Sequence, residues 1–173
     1  LNGAASHFLY FAYGSNLYPP RLSARAPSAR ALGKAVLDAH ALLFHKLGRD
    51  GSGKCDAYRS GDPRDRVHGA VYRLAEADRG ALDRAESRGV GYDACTVSVW
   101  HRGKQVTVWT YRALPQAIAP ELIPFDWYLE LVLAGARLHR LPATYVARLE
   151  GVRARPDPSR LRAHPISLVP GPG

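Results

Sequence analysis

Phe8-Leu9-Tyr10-Phe11-Ala12-Tyr13-Gly14-Ser15-Asn16 is an apolar run that stops abruptly at three turn formers. Aromatic and aliphatic residues bounded by Gly, Ser or Asn read as a buried strand. Gly14 has no Cβ, so the backbone can turn sharply there and lie close against a ligand. Asn16 is placed to cap a helix starting near Leu17, with Pro19 and Pro20 tolerated in its first turn. A strand, a tight turn and a helix start leave backbone N–H groups without carbonyl partners, pointing at one spot that suits a carboxylate or an oxyanion. The plainer reading is a core strand followed by an ordinary turn, and these nine residues alone do not separate the two.

The rest of the chain bounds the choice. At 173 residues it suits one domain with a proper core, and 46% hydrophobic with 23% charged residues is ordinary for a soluble globular protein. No apolar run approaches the ~20 residues of a membrane helix. Leu1 to His7 lacks the basic and apolar regions of a secretory signal. The chain contains no methionine, so Leu1 to Ser6 is expected to be a trimmed or added start. Two cysteines, Cys55 and Cys95, make no disulfide framework and have no metal-ligand neighbours, so a cytoplasmic location is expected. The net charge of +9 comes mostly from arginines spread along the chain. Without a basic run interleaved with stacking aromatics, it does not point to nucleic acid.

The punctuation predicts the elements. A short helix runs from Leu17 to Arg25, ended by Ala26-Pro27. Ala31 to Phe44 reads as one long strand or two, and Gly48 to Asp56 as a polar loop, since its GSGK lacks the full phosphate-loop pattern. Val67 to Leu74 reads as a strand in which Gly69 marks close packing. Glu76 to Glu86 has helical spacing, broken by Ser87 to Gly91. Thr96–Trp100 and Val106–Tyr111 alternate with period two around Arg102-Gly103 and form a hairpin. Helices follow over Phe125 to Arg140 and from Leu141-Pro142 to about Glu150. Strands outnumber helices without regular crossovers, which argues an α+β fold with helices to one side of a mixed sheet.

Glu86 closes its helix at the negative end of the dipole, an unfavourable place for an anion. A carboxyl so placed suits a proton shuttle working near neutrality; the plainer alternative is a solvated surface glutamate. The seven histidines form no metal pair, and Ser15 lies outside any G-x-S-x-G elbow.

YFAYGSNL, then HGAVYRL with LDRAE and Gly91-Tyr92, then Tyr128 with Gly135-Ala136 and Leu141-Pro142-x-x-Tyr145, together resemble the γ-glutamylcyclotransferase family, from about Phe8 to Leu149. The resemblance implies a small β-barrel-like mixed sheet flanked by helices, in a domain over 8–150; the Arg/Pro-rich composition of 151–173 reads as a C-terminal extension outside it. The resemblance places Tyr10, Phe11, Ala12, Tyr13, Gly14, Ser15 and Asn16 on a substrate cradle, Glu86 on the catalytic acid/base, and Tyr128 on a substrate contact. The family pattern has Gly directly after the catalytic glutamate; this chain has Ser87. The implied reaction cyclises a γ-glutamyl amine or dipeptide to 5-oxoproline and a free amine, without metal or cofactor, in a protein with no membrane partner and with homodimers among its relatives. The substrate could instead be a γ-glutamyl-acylated natural product or a γ-glutamyl-lysine, or the chain could be a non-catalytic carboxylate-binding module.

Overall fold

The computed structural model describes residues 6–159. The expectations for the extreme N-terminus and for the tail from Arg160 onward lie outside the described residues. In chain order the elements are β1 (His7–Ala12), α1 (Pro19–Arg25), β2 (Arg30–Asp38), β3 (His40–Leu47), β4 (Gly53–Arg59), β5 (Arg66–Ala75), α2 (Arg79–Ala85), β6 (Tyr92–His101), β7 (Lys104–Ala113), α3 (Asp126–Leu138) and α4 (Ala143–Glu150). Single 3-10 turns precede α1 and α2.

Five strands close into a barrel in the order β1-β5-β2-β6-β7. Neighbours are antiparallel except at the closure, where Tyr10 of β1 meets Trp109 of β7 in parallel. The α+β reading holds in this form. Phe11, Val67, Val71, Leu74, Val99 and Val108 are fully buried in the core, each contributing about 1.5–3 kcal/mol of burial. The expected β6–β7 hairpin turns at Arg102 and Gly103, both at positive φ (50° and 74°), the two-residue turn whose twist matches the strands. Gly69 is required by contact: a Cβ there would sit 2.3 Å from the Ala12 carbonyl oxygen.

One element departs from expectation. The polar loop ends at Ser52, because Gly53 opens β4, which pairs with β3 as a separate two-stranded sheet. This hairpin docks on the barrel through polar bonds. Asp56 accepts from the Ala113 N–H at 2.8 Å and meets His45 Nε2 at 2.9 Å, and Arg112 donates to the Ala57 carbonyl at 3.1 Å. A strand that buries an aspartate lacks the apolar signature by which strands are read.

α3 lies against the turn after β1. A Cβ on Gly135 would sit 2.6 Å from the Leu17 carbonyl carbon and 2.7 Å from the Tyr18 nitrogen, so the missing side chain lets helix and turn touch backbone to backbone. Past α4 the chain returns to the start of α3: the Asp126 N–H donates to the Arg155 carbonyl at 2.9 Å, and Trp127 Nε1 donates to Asp157 at 2.9 Å.

Candidate active site

Tyr10 of β1 and the turn that follows the strand face a common hollow. Tyr10, Tyr13, Gly14, Ser15, Asn16, Cys55, Glu86, Tyr92, Tyr111 and Tyr128 line this small hollow, which opens to solvent. After Tyr13 the chain makes a 3-10 turn over Ser15–Leu17, whose first bond runs from the Leu17 N–H to the Gly14 carbonyl at 2.9 Å. The N–H groups of Gly14, Ser15 and Asn16 precede that bond and take no part in it. The turn is held tightly: a Cβ on Gly14 would be 3.1 Å from Cys55 Cβ and 3.3 Å from the Tyr128 hydroxyl.

Glu86 arrives from the opposite wall. α2 is anchored by buried Leu82, and Glu86 caps the helix with its N–H on the Leu82 carbonyl at 3.0 Å. Its side chain is only 15% exposed. Glu86 Oε1 accepts from Arg25 at 2.6 Å and from Asn16 Nδ2 at 2.8 Å. Arg25 also donates to Asn16 Oδ1 at 2.8 Å, and Asn16 Nδ2 reaches the Tyr10 hydroxyl at 3.0 Å. The dipole argument therefore saw only part of the field on Glu86, because α1 brings a guanidinium to meet it.

This also corrects the role expected of Asn16. The residue at the start of α1 is Tyr18, no side chain caps that helix, and Pro19 and Pro20 fill its first positions. The Asn16 amide is occupied instead by the Glu86–Arg25–Tyr10 network. Phe11 and Ala12, expected in the cradle, do not line the hollow. They are sealed in the core, because β1 is still paired there, Phe11 with Val71 and Ala12 with Ala70.

Tyrosine hydroxyls form the remaining wall. Tyr128 accepts the Cys55 N–H at 3.0 Å, Tyr92 donates to the Cys55 carbonyl at 2.6 Å, and Tyr13 donates to the Tyr111 carbonyl at 2.5 Å. Tyr111 in turn donates to Asp83 at 2.5 Å. Burial raises Tyr10, Tyr13, Tyr92 and Tyr128 well above the ordinary phenol value, so all keep their protons as donors. Burial likewise pushes the Cys55 thiol up to about 12, which removes it as a thiolate nucleophile.

Sequence reasoning passed over Arg25, Cys55, Tyr92 and Tyr111 as site residues. Arg25 had a readable signal, since it lies four positions after Arg21 on the same helix face. Tyr111 and Cys55 had none, being ordinary alternating or loop residues until the barrel closes.

Comparison with known proteins adds the following. Residues 66–149 match the AIG2-like family. Over 152 residues the chain is 32% identical to the γ-glutamylcyclotransferase of Homo sapiens, a match covering 84% of this chain and 78% of that protein. It is 30% identical over 153 residues to the γ-glutamylcyclotransferase of Bos taurus, with the same coverage. A solved structure of a γ-glutamyl cyclotransferase superposes with a TM-score of 0.79 at 28% identity, covering 87% of this chain and 90% of that one.

Proposed function

The chain belongs to the γ-glutamylcyclotransferase family, and from that premise we propose that it cyclises a γ-glutamyl amine or dipeptide in the hollow between Glu86 and the Gly14–Ser15–Asn16 turn. The observation that carries the proposal is the placement of one carboxylate, fixed by Arg25 and Asn16, across the same hollow from uncommitted main-chain N–H groups.

The chemistry needs no more than this. The α-nitrogen of a γ-glutamyl group can reach its own γ-carbonyl carbon, so the substrate supplies the nucleophile and the site supplies a folded attack conformer. Glu86 takes a proton from the α-ammonium, freeing the lone pair. The ring C–N bond forms, and the carbonyl oxygen gathers charge against the turn's N–H groups, each such donor being worth ~10²–10³ in rate. Glu86 returns the proton to the leaving nitrogen as the old C–N bond breaks, and the ring nitrogen sheds its second proton to the departing amine. The products are 5-oxoproline and a free ammonium. Tyr10 accepts from Asn16, which leaves its own O–H to donate to the substrate. Tyr128 contacts the glutamyl portion. A catalytic domain over 8–150, a cytosolic location and a homodimeric assembly complete the proposal.

The test is Glu86→Gln, which keeps the shape and the Asn16 side of the network but cannot take the proton. 5-Oxoproline release, followed by mass spectrometry, is expected to fall at least a hundredfold. Undiminished turnover would remove Glu86 from the mechanism.

A further inference from the structure

A second, larger concavity open to solvent adjoins the hollow and shares Ser15, Glu86, Tyr92 and Tyr128 with it. Glu86 therefore stands on the boundary between the two. On the cyclisation reading, on which this inference rests, the scissile bond lies beside Glu86. The glutamyl head fills the inner hollow, and the amine half must leave across the outer one.

Apart from Glu86, every charged side chain lining the outer concavity is a cation. Arg21 and Arg25 come from α1, Lys46 from β3, and Arg49 and Lys54 from the β3–β4 turn and β4. Arg25 is paired with Glu86, and Lys54 with Asp50 at 2.7 Å. For the other three, no acidic partner appears among the described residues. Arg21 donates to Ser15 Oγ at 2.9 Å, Lys46 lies 4.5 Å from the centre of the Tyr92 ring, and Arg49 is exposed.

Lys46 carries the argument. Its residue is only 6% exposed, and the bare backbone of Gly91 presses on it, since a Cβ there would be 2.6 Å from Lys46 Nζ. Burial lowers its pKa from the ordinary lysine value; Glu86 and, less strongly, Asp50 oppose this, while Lys54 and Arg49 add to it. A buried ammonium among cations is costly unless an anion joins it. Scattered surface basicity does not explain it, because a solvated lysine would not be held inside a concave wall.

We infer that the outer concavity binds an anionic amine half, so that the enzyme favours γ-glutamyl conjugates whose leaving group bears two negative charges over neutral or cationic ones. The shared chemistry is a dianion, whether two carboxylates or a phosphate. Cationic amines of the γ-glutamyl-lysine kind are disfavoured by the same wall.

The experiment compares kcat/KM for 5-oxoproline release from γ-glutamyl-glutamate, γ-glutamyl-phosphoethanolamine, γ-glutamyl-alaninamide and γ-glutamyl-putrescine. The first two separate carboxylate from phosphate recognition. At least one of them is expected to exceed the neutral conjugate by about tenfold, mainly through KM, with the gap narrowing in high salt. The cationic conjugate is expected to rank last. In Lys46→Gln/Arg49→Gln the dianion-to-neutral ratio should fall about tenfold. Arg49→Glu, at an exposed position, serves as a second variant and should lower the same ratio. Equal rates across the series, or a preference for the neutral or cationic conjugate, would overturn the inference while leaving cyclisation intact. If no conjugate is cyclised, the cyclisation reading fails instead. Calorimetric titration with inorganic phosphate then decides the outer site: saturable heat in the native protein that disappears in the double variant supports it, and no heat in the native protein overturns it.

Discussion

Arg25 and Glu86 meet at 2.6 Å across 61 positions of sequence, the guanidinium at the end of α1 and the carboxylate at the end of α2. The contact ties two short helices together and aims the carboxylate. Glu86 is held on one oxygen by Arg25 and Asn16 together, so its position over the hollow depends on α1 as much as on its own helix.

Arg25→Met leaves the Glu86 carboxylate without its cation inside a mostly enclosed wall. Removing one member of such a pair is more damaging than losing the attraction alone. kcat for 5-oxoproline release is expected to fall about 10- to 100-fold, and Arg25→Lys, which keeps the charge, to recover part of it. Steady-state kinetics on both variants checks this, and an unchanged kcat in Arg25→Met would refute it.

Gly135→Ala tests the backbone contact between α3 and the turn after β1. In an unpacked helix this change stabilises by about 1 kcal/mol. Here the added methyl meets the main chain of Leu17 and Tyr18, so the sign reverses. A loss of about 1–3 kcal/mol is expected in denaturant unfolding, together with reduced activity as the turn shifts. A gain in stability would show that the contact is loose.

Ser87 occupies a left-handed backbone conformation, φ 52°. An L side chain is strained there, and the sequence resemblance expects glycine at this position. Ser87→Gly is expected to stabilise by about 1 kcal/mol, near 2–4 °C in Tm for a chain of this size. Differential scanning calorimetry reads the shift, and a fall in Tm would mean that the serine hydroxyl is needed.

Three histidines set an acid limit on stability. Burial lowers the pKa of His40, His68 and His139, with Arg66 and Arg148 adding to the effect at His68. His139 Nε2 lies 2.7 Å from the Tyr72 hydroxyl and 3.0 Å from the Leu17 carbonyl. Because the folded values lie below the unfolded ~6.5, the unfolded chain binds protons first. Stability is full above about pH 6.5 and declines as pH falls toward the lower folded values. Melting curves at pH 7.5 and 5 should differ in that direction, and less so in His68→Gln. A Tm that rises on acidification would contradict it.

Much was legible because it is written in local chemistry. The β6–β7 hairpin announces itself by alternation and by a turn that needs positive φ. The strand-turn unit at Tyr10–Asn16 is bounded by turn formers. Glu86 stands out only because the LDRAE run stops at a break, and its assignment came from a resemblance rather than from periodicity. What was missed has a common cause. β4 reads as a loop because it buries Asp56 and Cys55 rather than aliphatic residues. Asn16 reads as a helix cap because capping is local, whereas its actual partners lie 6, 9 and 70 positions away.

By itself the sequence determined the element types and their order, β4 excepted, since these follow from backbone sterics and side-chain periodicity within a few residues, and its motifs carried the family resemblance. Only barrel closure decided that Phe11 and Ala12 belong to the core while Tyr10 and Tyr13 line the hollow. Only the tertiary structure set Arg25 on Glu86 and gathered Arg21, Lys46 and Arg49 around one concavity. Those facts rest on distances between side chains from separate segments, and such distances exist only after the hydrophobic core has fixed where each segment ends.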